Sequence, residues 1–364
     1  MENQSLEIYN FFEIHNKRLK IKRIYLFLSF VLLIILAVFS LNLGEFSISI
    51  FKVLSGKESS EKAYIFYNIR LLRIFTDIVC GAGLSIGGAV LQNILRNPMA
   101  SPFTLGISQA ATFGASFAII YLSAGVTTSV GEGVIVSSFL KTGFSAFVFS
   151  LISMFFLISL SYIKKFSKQT IILTGISLGA FFQALTMILQ YFADEIKVAQ
   201  TLFWTFGDVS KGNYFVMFLV FVLISFSIYF FVSKSFHFNA ILFGDEFSKV
   251  SGVDFKKLSV ISIIIVSLIV SLITSCVGII GFIGLIAPHI TRFIVKNDNK
   301  YFIPLSAING SIVLLLSDII SRTIIYPSVL PVGIITSFFG VIVLIYLIIR
   351  KGKNDWTFKS FNRL

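Results

Sequence analysis

Long apolar runs recur along almost the whole chain, separated by short polar or charged connections. An α-helix rises about 1.5 Å per residue and the hydrocarbon layer of a bilayer is about 30 Å thick, so roughly 20 apolar residues make one crossing. The pattern therefore predicts an all-α, polytopic membrane protein with about ten transmembrane helices. The predicted crossings are residues 24–43, 74–95, 103–122, 134–163, 170–192, 213–233, 258–277, 279–295, 302–322 and 331–349.

The seventh and eighth predicted crossings form one apolar run from Leu258 to Val295. As a single helix this run would be about 55 Å long, which is far more than a bilayer can hold. Gly278, Gly281, Gly284 and Pro288 are expected to break it. The eighth crossing is therefore expected to be short.

Composition supports the membrane assignment. Hydrophobic residues make up 56% of the 364 positions and charged residues only 13%, which is more apolar surface than a soluble domain can bury. The first apolar run follows the basic string NKRLKIKR and no small-residue cleavage site comes after it, so we expect it to stay as a membrane helix. In a membrane protein the net charge of +13 indicates loop orientation and does not indicate nucleic-acid binding.

Basic residues predict the orientation of the chain. The amino-terminal arm, residues 1–23, and the tail, residues 351–364, are both rich in lysine and arginine, so both termini are expected to be cytoplasmic. The transmembrane domain then covers residues 24–350 and has an even number of crossings. Its long basic connection, residues 234–257, is expected on the cytoplasmic side.

The sequence carries no recognisable catalytic or metal-binding motif. Cys80 and Cys276 both lie in apolar segments, and neither a disulfide framework nor metal-ligand spacing is present. His289 has no second ligand at helical spacing, so it is interpreted as a structural residue. HExxH, CxxC and P-loop signatures are missing, and the two GxSxG matches, at 83–87 and 175–179, lie inside predicted transmembrane helices and not on the strand-to-helix turn that this motif requires. If ATP drives this protein, another polypeptide must bind and hydrolyse it.

One glycine-rich segment predicts close helix packing followed by an irregular turn. Small residues follow Arg70 and Arg73 in the sequence GAGLSIGGA, and such residues let membrane helices approach closely. Pro98 and Pro102 then force an irregular backbone, which is tolerated at membrane depth only where it is buried in protein or lines a cavity.

Several motifs in one order resemble the FecCD-type permeases of ABC importers. They are RLLR, GAGLSIGGAVLQNILRNPMASPFTLG, FWTFGDVS, GDEFSKVSGVDFKKL, GFIGLIAPHITR, SDIISR and LPVGIITSFFG, and the resemblance runs from about Ile24 to Arg350. It implies uptake of iron-siderophore complexes, haem or cobalamin across a bacterial cell (inner) membrane. It also implies a dimer of identical or paralogous permeases, two cytoplasmic ATPase subunits and an extracytoplasmic binding protein. In this family the permease binds no cofactor, and ATP is hydrolysed by the partner subunit.

The resemblance assigns Arg70, Arg73 and Arg322 to docking of the binding protein at the outer surface. The alternative is local pairing within the helices, because Asp77 is four residues from Arg73 and Asp318 is four residues from Arg322. The family usually has RLPR where this chain has RLLR, so a local kink is not expected to carry over.

The resemblance also assigns the cytoplasmic connection to coupling with the ATPase. Gly244, Glu246, Gly252 and Val253 are the candidate residues, on a short amphipathic helix that breaks at Gly252. The alternative is a solvated loop whose lysines only set the topology.

Asn97, Pro98 and Met99 lie where the family has a cytoplasmic gate. Alternatively, the Asn97 side chain only terminates the helix by satisfying free backbone groups. The adjoining sequence FSKQT at 166–170 lacks the hydroxyl-rich pattern of some relatives, so no gate residue is assigned there.

Polar residues on one helix face indicate a translocation path. Gln183, Thr186 and Gln190 fall at i, i+3 and i+7, and polar groups in lipid are costly unless they meet water or each other. Thr336 and Ser337 are weaker candidates for the same wall. Hydrogen bonding between helices is the alternative use of such side chains.

The preferred interpretation is thus the permease subunit of an ABC importer, most consistent with an iron-siderophore substrate, with haem or cobalamin as alternatives. A secondary transporter driven by protons or sodium would place ionisable groups at the bilayer midplane. Asp77 and Asp318 are the only acids within the predicted crossings, and both lie near an arginine. A membrane-embedded enzyme would need a nucleophile, a metal cluster or an acid/base pair, and the sequence indicates none.

Overall fold

The structure, a computed structural model, describes residues 2–43, 50–124, 139–163 and 167–350. Within these ranges the regular structure is helical and contains no β-strand. The helices are α1 (Glu2–Asn42), α2 (Ile50–Leu54), α3 (Ser60–Tyr64), α4 (Leu72–Leu95), α5 (Ile107–Tyr121), α6 (Phe139–Ile163), α7 (Lys168–Tyr191), α8 (Glu195–Thr205), α9 (Tyr214–Ser233), α10 (Ser235–Phe243), α11 (Asp245–Val250), α12 (Phe255–Val277), α13 (Ile283–Val295), α14 (Asn299–Thr323) and α15 (Val332–Arg350). A π-helical stretch, Ile65–Leu71, joins α3 to α4, and short 3-10 turns occupy Pro102–Leu105 and Val209–Lys211.

Each of the ten predicted crossings coincides with a helix. Among the described residues, seven helical segments are long and apolar enough to span a membrane: Asn16–Asn42, Ser60–Leu95, Leu140–Ile163, Lys168–Tyr191, Tyr214–Ser233, Phe255–Val277 and Asn299–Thr323. The other three predicted crossings are shorter apolar helices: Ile107–Tyr121, Ile283–Val295 and Val332–Tyr346. The expectation of a short eighth helix is confirmed, whereas the total of ten crossings and the position of the termini stay predictions.

The amino-terminal arm is not separate from the first crossing. Helix α1 begins at Glu2 and continues without interruption to Asn42, because no glycine or proline interrupts that stretch. Some of the sequence-based assignments lie outside the described residues: the start of the fourth predicted crossing at 134–138, residue 166 of the FSKQT sequence, and the tail at 351–364.

The break between the seventh and eighth predicted crossings lies at residues 278–282. Gly278 and Phe282 there have φ angles of 77° and 65°. The expectation that Gly284 and Pro288 contribute to the break was wrong, because both lie inside α13. A proline within a helix leaves the carbonyl four residues earlier without its usual donor. Here that carbonyl, on Gly284, accepts a hydrogen bond of 3.4 Å from Gln92 Nε2 on α4.

Helix α4 is the centre of the bundle. It packs against α9, α12, α13 and α14. In the Ser60–Leu95 segment, which contains α4, 83% of the apolar stretch is buried, compared with 11% in the Asn16–Asn42 segment of α1 at the periphery. Glycines make this packing possible: a Cβ atom added at Gly81 would collide with the backbone carbonyl of Gly310, and one at Gly88 with that of Gly284. The predicted close approach of this helix to its neighbours is therefore confirmed.

The irregular backbone predicted after α4 is also present. The helix ends when Arg96 adopts a left-handed conformation with φ 47°, and the Asn97 N–H donates to the Gln92 carbonyl at 3.1 Å. The chain then passes through the Pro102–Leu105 turn, and Gly106, with φ 76°, leads into α5.

Candidate translocation surface and the two ends of the bundle

The predicted polar residues of α7 line a common cavity. Gln183, Thr186 and Gln190 lie on one side of a space of about 270 Å³. Gln109 and Thr112 on α5 face them across it. The structure therefore brings amide and hydroxyl groups from two helices to one surface, which can hydrogen-bond a polar solute or water.

The three α7 side chains are not equivalent. Thr186 Oγ1 donates to the Phe182 carbonyl of its own helix at 2.8 Å. Gln190 Nε2 donates to Thr201 Oγ1 on α8 at 2.9 Å, so for this residue the interhelical alternative is present in the structure. Gln183 is exposed and presents its amide to the cavity.

A second, larger cavity of about 630 Å³ adjoins the first and is mainly apolar. Ser337 on α15 lines it, together with Phe282 and Phe338. Phe103 lines both cavities. Thr336, which the sequence grouped with Ser337, is fully buried and donates to the Gly333 carbonyl at 3.1 Å, so it does not lie on this surface.

Sequence reasoning did not select Gln109 and Thr112. The signal was available, because the two residues are three positions apart in an otherwise apolar helix and therefore share a face. The sequence alone does not show that this face of α5 lies opposite α7.

One end of the bundle carries a cluster of charged residues, here termed the arginine end. Arg73 donates from Nε and Nη2 to Asp318 Oδ1 at 2.9 and 2.8 Å. Arg322 Nη2 lies 2.9 Å from Asp318 Oδ2 and donates to Ser40 Oγ at 2.6 Å. One carboxylate on α14 thus binds two arginines and connects α4, α14 and, through Arg322, α1.

Arg70 and Asp77 flank this cluster. Arg70 Nη1 donates to the Leu41 carbonyl at 2.8 Å, and only 6% of the residue is exposed. Asp77, the expected helical partner of Arg73, is fully buried close to Asp318, and the ion pair of Arg73 is made with Asp318 instead. The local pairing considered as the alternative is therefore present for Arg322, whereas Arg73 pairs with a residue on another helix and not with Asp77.

The predicted gate residues form a hydrogen-bonded turn. Asn97 Oδ1 accepts from the backbone N–H of Met99 at 2.9 Å, and the Asn97 carbonyl accepts from Ala100 at 3.1 Å. The Asn97 side chain thus performs the local backbone role considered as the alternative. Pro98 is buried and Met99 is partly exposed.

The coupling segment folds as the sequence indicates, with a short helix, a break and a second helix start. Gly244 and Gly252 have φ angles of 138° and 71°, and each lies in open space. Val253 is buried and belongs to the main hydrophobic core, whereas Glu246 is exposed. Two of the four candidates are thus backbone hinges, and only Glu246 presents its side chain outward.

An exposed apolar surface accompanies this segment. Val250 is 89% exposed, and Phe243 and Phe247, which precede it in the chain, are also exposed, with ring centroids 5.5 Å apart. These residues belong to the short helices α10 and α11, which are not among the spans that lipid would cover. Sequence reasoning passed over them, although three apolar residues in a connection rich in charge are a recognisable signal.

The same end of the bundle, here termed the lysine end, gathers basic side chains. Lys22 on α1 pairs with Asp298 before α14 at 2.7 Å. Lys168 and Lys249 line a cavity of about 530 Å³ between the start of α7 and the coupling segment, and Lys256 lies 3.4 Å from the ring centre of Tyr162. This placement agrees with the predicted cytoplasmic side.

No group of three potential metal ligands occurs among the described residues. His289 Nδ1 lies 2.8 Å from the Leu285 carbonyl, inside its own helix. Cys80 and Cys276 are both buried free thiols.

Comparison with known proteins gives a consistent answer. The FecCD transport family matches residues 32–350. The chain belongs to the FecCD family. An ABC transporter permease protein of Methanocaldococcus jannaschii is 37% identical over 89% of this chain and 93% of its own length. The iron(3+)-hydroxamate import system permease protein of Bacillus subtilis is 29% identical, covering 88% and 95%.

The fold of this FecCD protein also has a solved counterpart. A structure described as an inward-facing conformation of a metal-chelate type ABC transporter superposes with a TM-score of 0.78. It is 27% identical and covers 90% of this chain and 99% of its own. The chain is therefore a membrane-spanning permease of an ABC importer of the metal-chelate type.

Proposed function

We propose that this chain is the permease of a binding-protein-dependent ABC importer that moves an iron-siderophore complex into the cell. It works in the bacterial cell (inner) membrane as one half of a permease dimer, identical or paralogous, with two cytoplasmic ATPase subunits. Support comes from the family match over residues 32–350 and from the iron-hydroxamate permease among the relatives. Further relatives are permeases named for haemin, molybdate and vitamin B12 import, and they define the alternative substrates.

The polar cavity between α5 and α7 carries the proposal for the translocation path. Its amides and hydroxyls hydrogen-bond a polar chelate weakly and from several sides, which suits a passage that must also release its solute. In a dimer, two such surfaces would face each other around a central channel. Selectivity would then depend mainly on the binding protein that delivers the chelate.

The coupling role is supported by the exposed apolar residues of α10 and α11. An apolar patch outside the membrane-spanning helices is costly in water and is typical of a protein interface. We assign its occupant as the cytoplasmic ATPase subunit, which would contact Glu246 and the surface around Val250. Gly244 and Gly252 would let the segment turn sharply at both ends of α11.

Docking of the binding protein at the arginine end remains a proposal with a specific test. Arg70, Arg73 and Arg322 lie together, but each is largely buried and bonded within the chain. Arg70→Glu and Arg322→Glu are expected to abolish uptake that depends on the binding protein. Unchanged uptake with both reversals would remove docking, whereas lost uptake together with a lower melting temperature would indicate a purely structural cluster.

Growth of a deletion strain on single iron sources tests the substrate. Cells lacking this permease should fail to grow when a ferric hydroxamate is the only iron supply, and the cloned gene should restore growth. Restoration of growth on haem alone would favour haem as the substrate, and a growth requirement for cobalamin would favour cobalamin.

Uptake that persists without any ATPase subunit would instead favour an ion-coupled carrier. Asp318, one of the two acids within the predicted crossings, is already paired with two arginines, which supports the importer for that residue.

A further inference from the structure

Three asparagine side chains form a continuous series of hydrogen bonds across three helices at the lysine end. Asn93 on α4 donates from Nδ2 to Asn299 Oδ1 on α14 at 2.5 Å. Asn299 in turn donates from Nδ2 to Asn239 Oδ1 on α10 at 2.7 Å. The backbone N–H of Asn299 donates to the same Asn239 oxygen at 3.1 Å. We name Asn239, Asn299 and Asn93 the amide chain.

Burial makes these bonds costly to break. Asn93 is 1% exposed and Asn299 is 0% exposed, so water cannot replace a partner that moves away. Asn299 occupies the middle position and uses both ends of its amide, accepting from Asn93 and donating to Asn239. Hydrogen bonds weaken steeply once the donor and acceptor separate or lose alignment. The three helices therefore resist separation at this point.

The amide chain connects the two functional regions of the lysine end. Asn239 lies in the middle of α10, which leads directly into Gly244 and the coupling segment. Asn93 lies in the last turn of α4, four residues before Asn97. A force applied at the coupling segment thus has a short, bonded route through one side chain of α14 to the turn at Asn97, Pro98 and Met99.

We propose that the amide chain transmits movement of the coupling segment to this turn, with Asn299 as the positioning residue between them. The inference rests on the proposed function, because the movement comes from the ATPase subunit. It adds a role for three residues that have no contact with solute or nucleotide. Because spatial connection alone does not demonstrate coupling, the test must separate transmission from simple stabilisation.

The experiment uses the complete transporter in proteoliposomes and does not require the substrate to be known. A Met99→Cys reporter is labelled with a water-soluble maleimide with and without ATP, and ATP hydrolysis is measured on the same samples. The native Cys80 and Cys276 are buried and contribute little labelling. In the otherwise unchanged complex, ATP should alter the labelling rate at position 99.

Asn299→Ala removes the side-chain bonds to Asn93 and Asn239 and leaves only the backbone bond to Asn239, whereas Asn239→Ala removes both bonds between α10 and α14. Both should reduce the ATP-dependent change in labelling about five-fold or more, the usual lower range of coupling between sites, while ATP hydrolysis continues. Asn299→Asp keeps the acceptor for Asn93 but loses the donor to Asn239, so it should behave like the alanine variants. Asn239→Asp keeps the accepting oxygen and should retain the full response.

Asn309→Ala is the matched control. Asn309 is a buried amide on the same helix, and its Nδ2 donates to Thr291 Oγ1 on α13 at 2.9 Å, outside the amide chain. This variant should lose thermal stability yet keep the ATP-dependent change. A loss of response as large as that of Asn299→Ala would mean that the amide chain only stabilises the bundle.

The remaining outcomes are also decisive. Full response in both Asn299→Ala and Asn239→Ala overturns the inference while the proposed function stands. If Asn299→Ala does not assemble, Asn239→Ala decides, because it removes the oxygen that accepts both bonds from Asn299 and does so at a partly exposed position. If ATP never alters the labelling of position 99 in a complex whose amide chain is unchanged, that result contradicts the proposed function itself.

Discussion

Arg73 and Asp318 are 245 positions apart in the sequence, yet two hydrogen bonds of 2.9 and 2.8 Å join them inside the bundle. The carboxylate of Asp318 also pairs with Arg322 at 2.9 Å. This carboxylate is completely buried. It balances the positive charges of the two arginines, which have little contact with water. The pairing fixes α4 against α14 at the arginine end, while the amide chain joins the same two helices at the other end.

We expect Asp318→Asn to destabilise the protein strongly. Removing the shared carboxylate leaves two buried arginines without their counter-charge, and breaking a buried pair in this way costs about 3–5 kcal/mol. Thermal unfolding of the purified protein measures the loss. Asp194→Asn is the control, because its pair with Lys197 is 3.8 Å long and exposed, so its effect should be about 0–1 kcal/mol. Equal melting temperatures for the two variants would contradict this account.

We expect Gly88→Ala to disrupt the packing of α4 against α13. The new methyl group would collide with the backbone carbonyl of Gly284, and overpacking of this kind costs about 1–3 kcal/mol. Gly179→Ala is the matched control, since its methyl group would lie 3.5 Å from Gln109 Cδ, an ordinary contact. Unfolding experiments should show a lower melting temperature only for Gly88→Ala.

The two glutamines of α7 should respond differently to the same substitution. Gln190→Leu removes the hydrogen bond to Thr201 on α8, so it should reduce both stability, by about 1 kcal/mol, and uptake. Gln183→Leu changes an exposed cavity residue and should alter the uptake rate with little change in melting temperature. Equal effects of both variants on stability would argue that Gln183 also joins helices.

Val250→Glu should prevent assembly with the ATPase without unfolding the permease. The side chain is 89% exposed, so the charge meets water in the isolated chain but would be desolvated in an apolar interface. Co-purification with the ATPase subunit and a melting curve give the two readouts. Lys57→Glu, an exposed charge change in the connection between α2 and α3, should leave both unchanged.

Single-cysteine labelling should establish the orientation of the bundle. Since both native thiols are buried, Lys57→Cys and Lys249→Cys each supply one accessible reporter. In intact cells an impermeant maleimide should label position 57 but not position 249. Labelling of position 249 alone would reverse the proposed topology, and labelling of both positions would contradict it.

The apolar pattern alone predicted the helices well, because each segment is uniformly apolar and the connections contain clear breaks. It did not predict that α1 begins as early as Glu2. Gly284 and Pro288 were expected to break a helix, but both lie inside α13, where the Gln92 side chain donates to the Gly284 carbonyl that Pro288 leaves without its usual donor. That compensation comes from a residue 192 positions away along the chain. No local pattern could reveal it.

The candidate site was predictable where residues share one helix and unpredictable where helices meet. The spacing of Gln183, Thr186 and Gln190 placed them on one face, and they do line one cavity. The partner of Arg73 was expected four residues away, at Asp77, but is Asp318 on another helix. The amide chain likewise depends on three helices meeting, so its members have no distinguishing pattern in the sequence.

The glycine contacts of α4 have a consequence for movement. At Gly81 with Gly310 and at Gly88 with Gly284, backbones touch directly and no flexible side chain lies between them. Helices α4, α13 and α14 therefore have no freedom to rotate past one another without steric collision. Any opening of the channel is therefore expected to carry these three helices together.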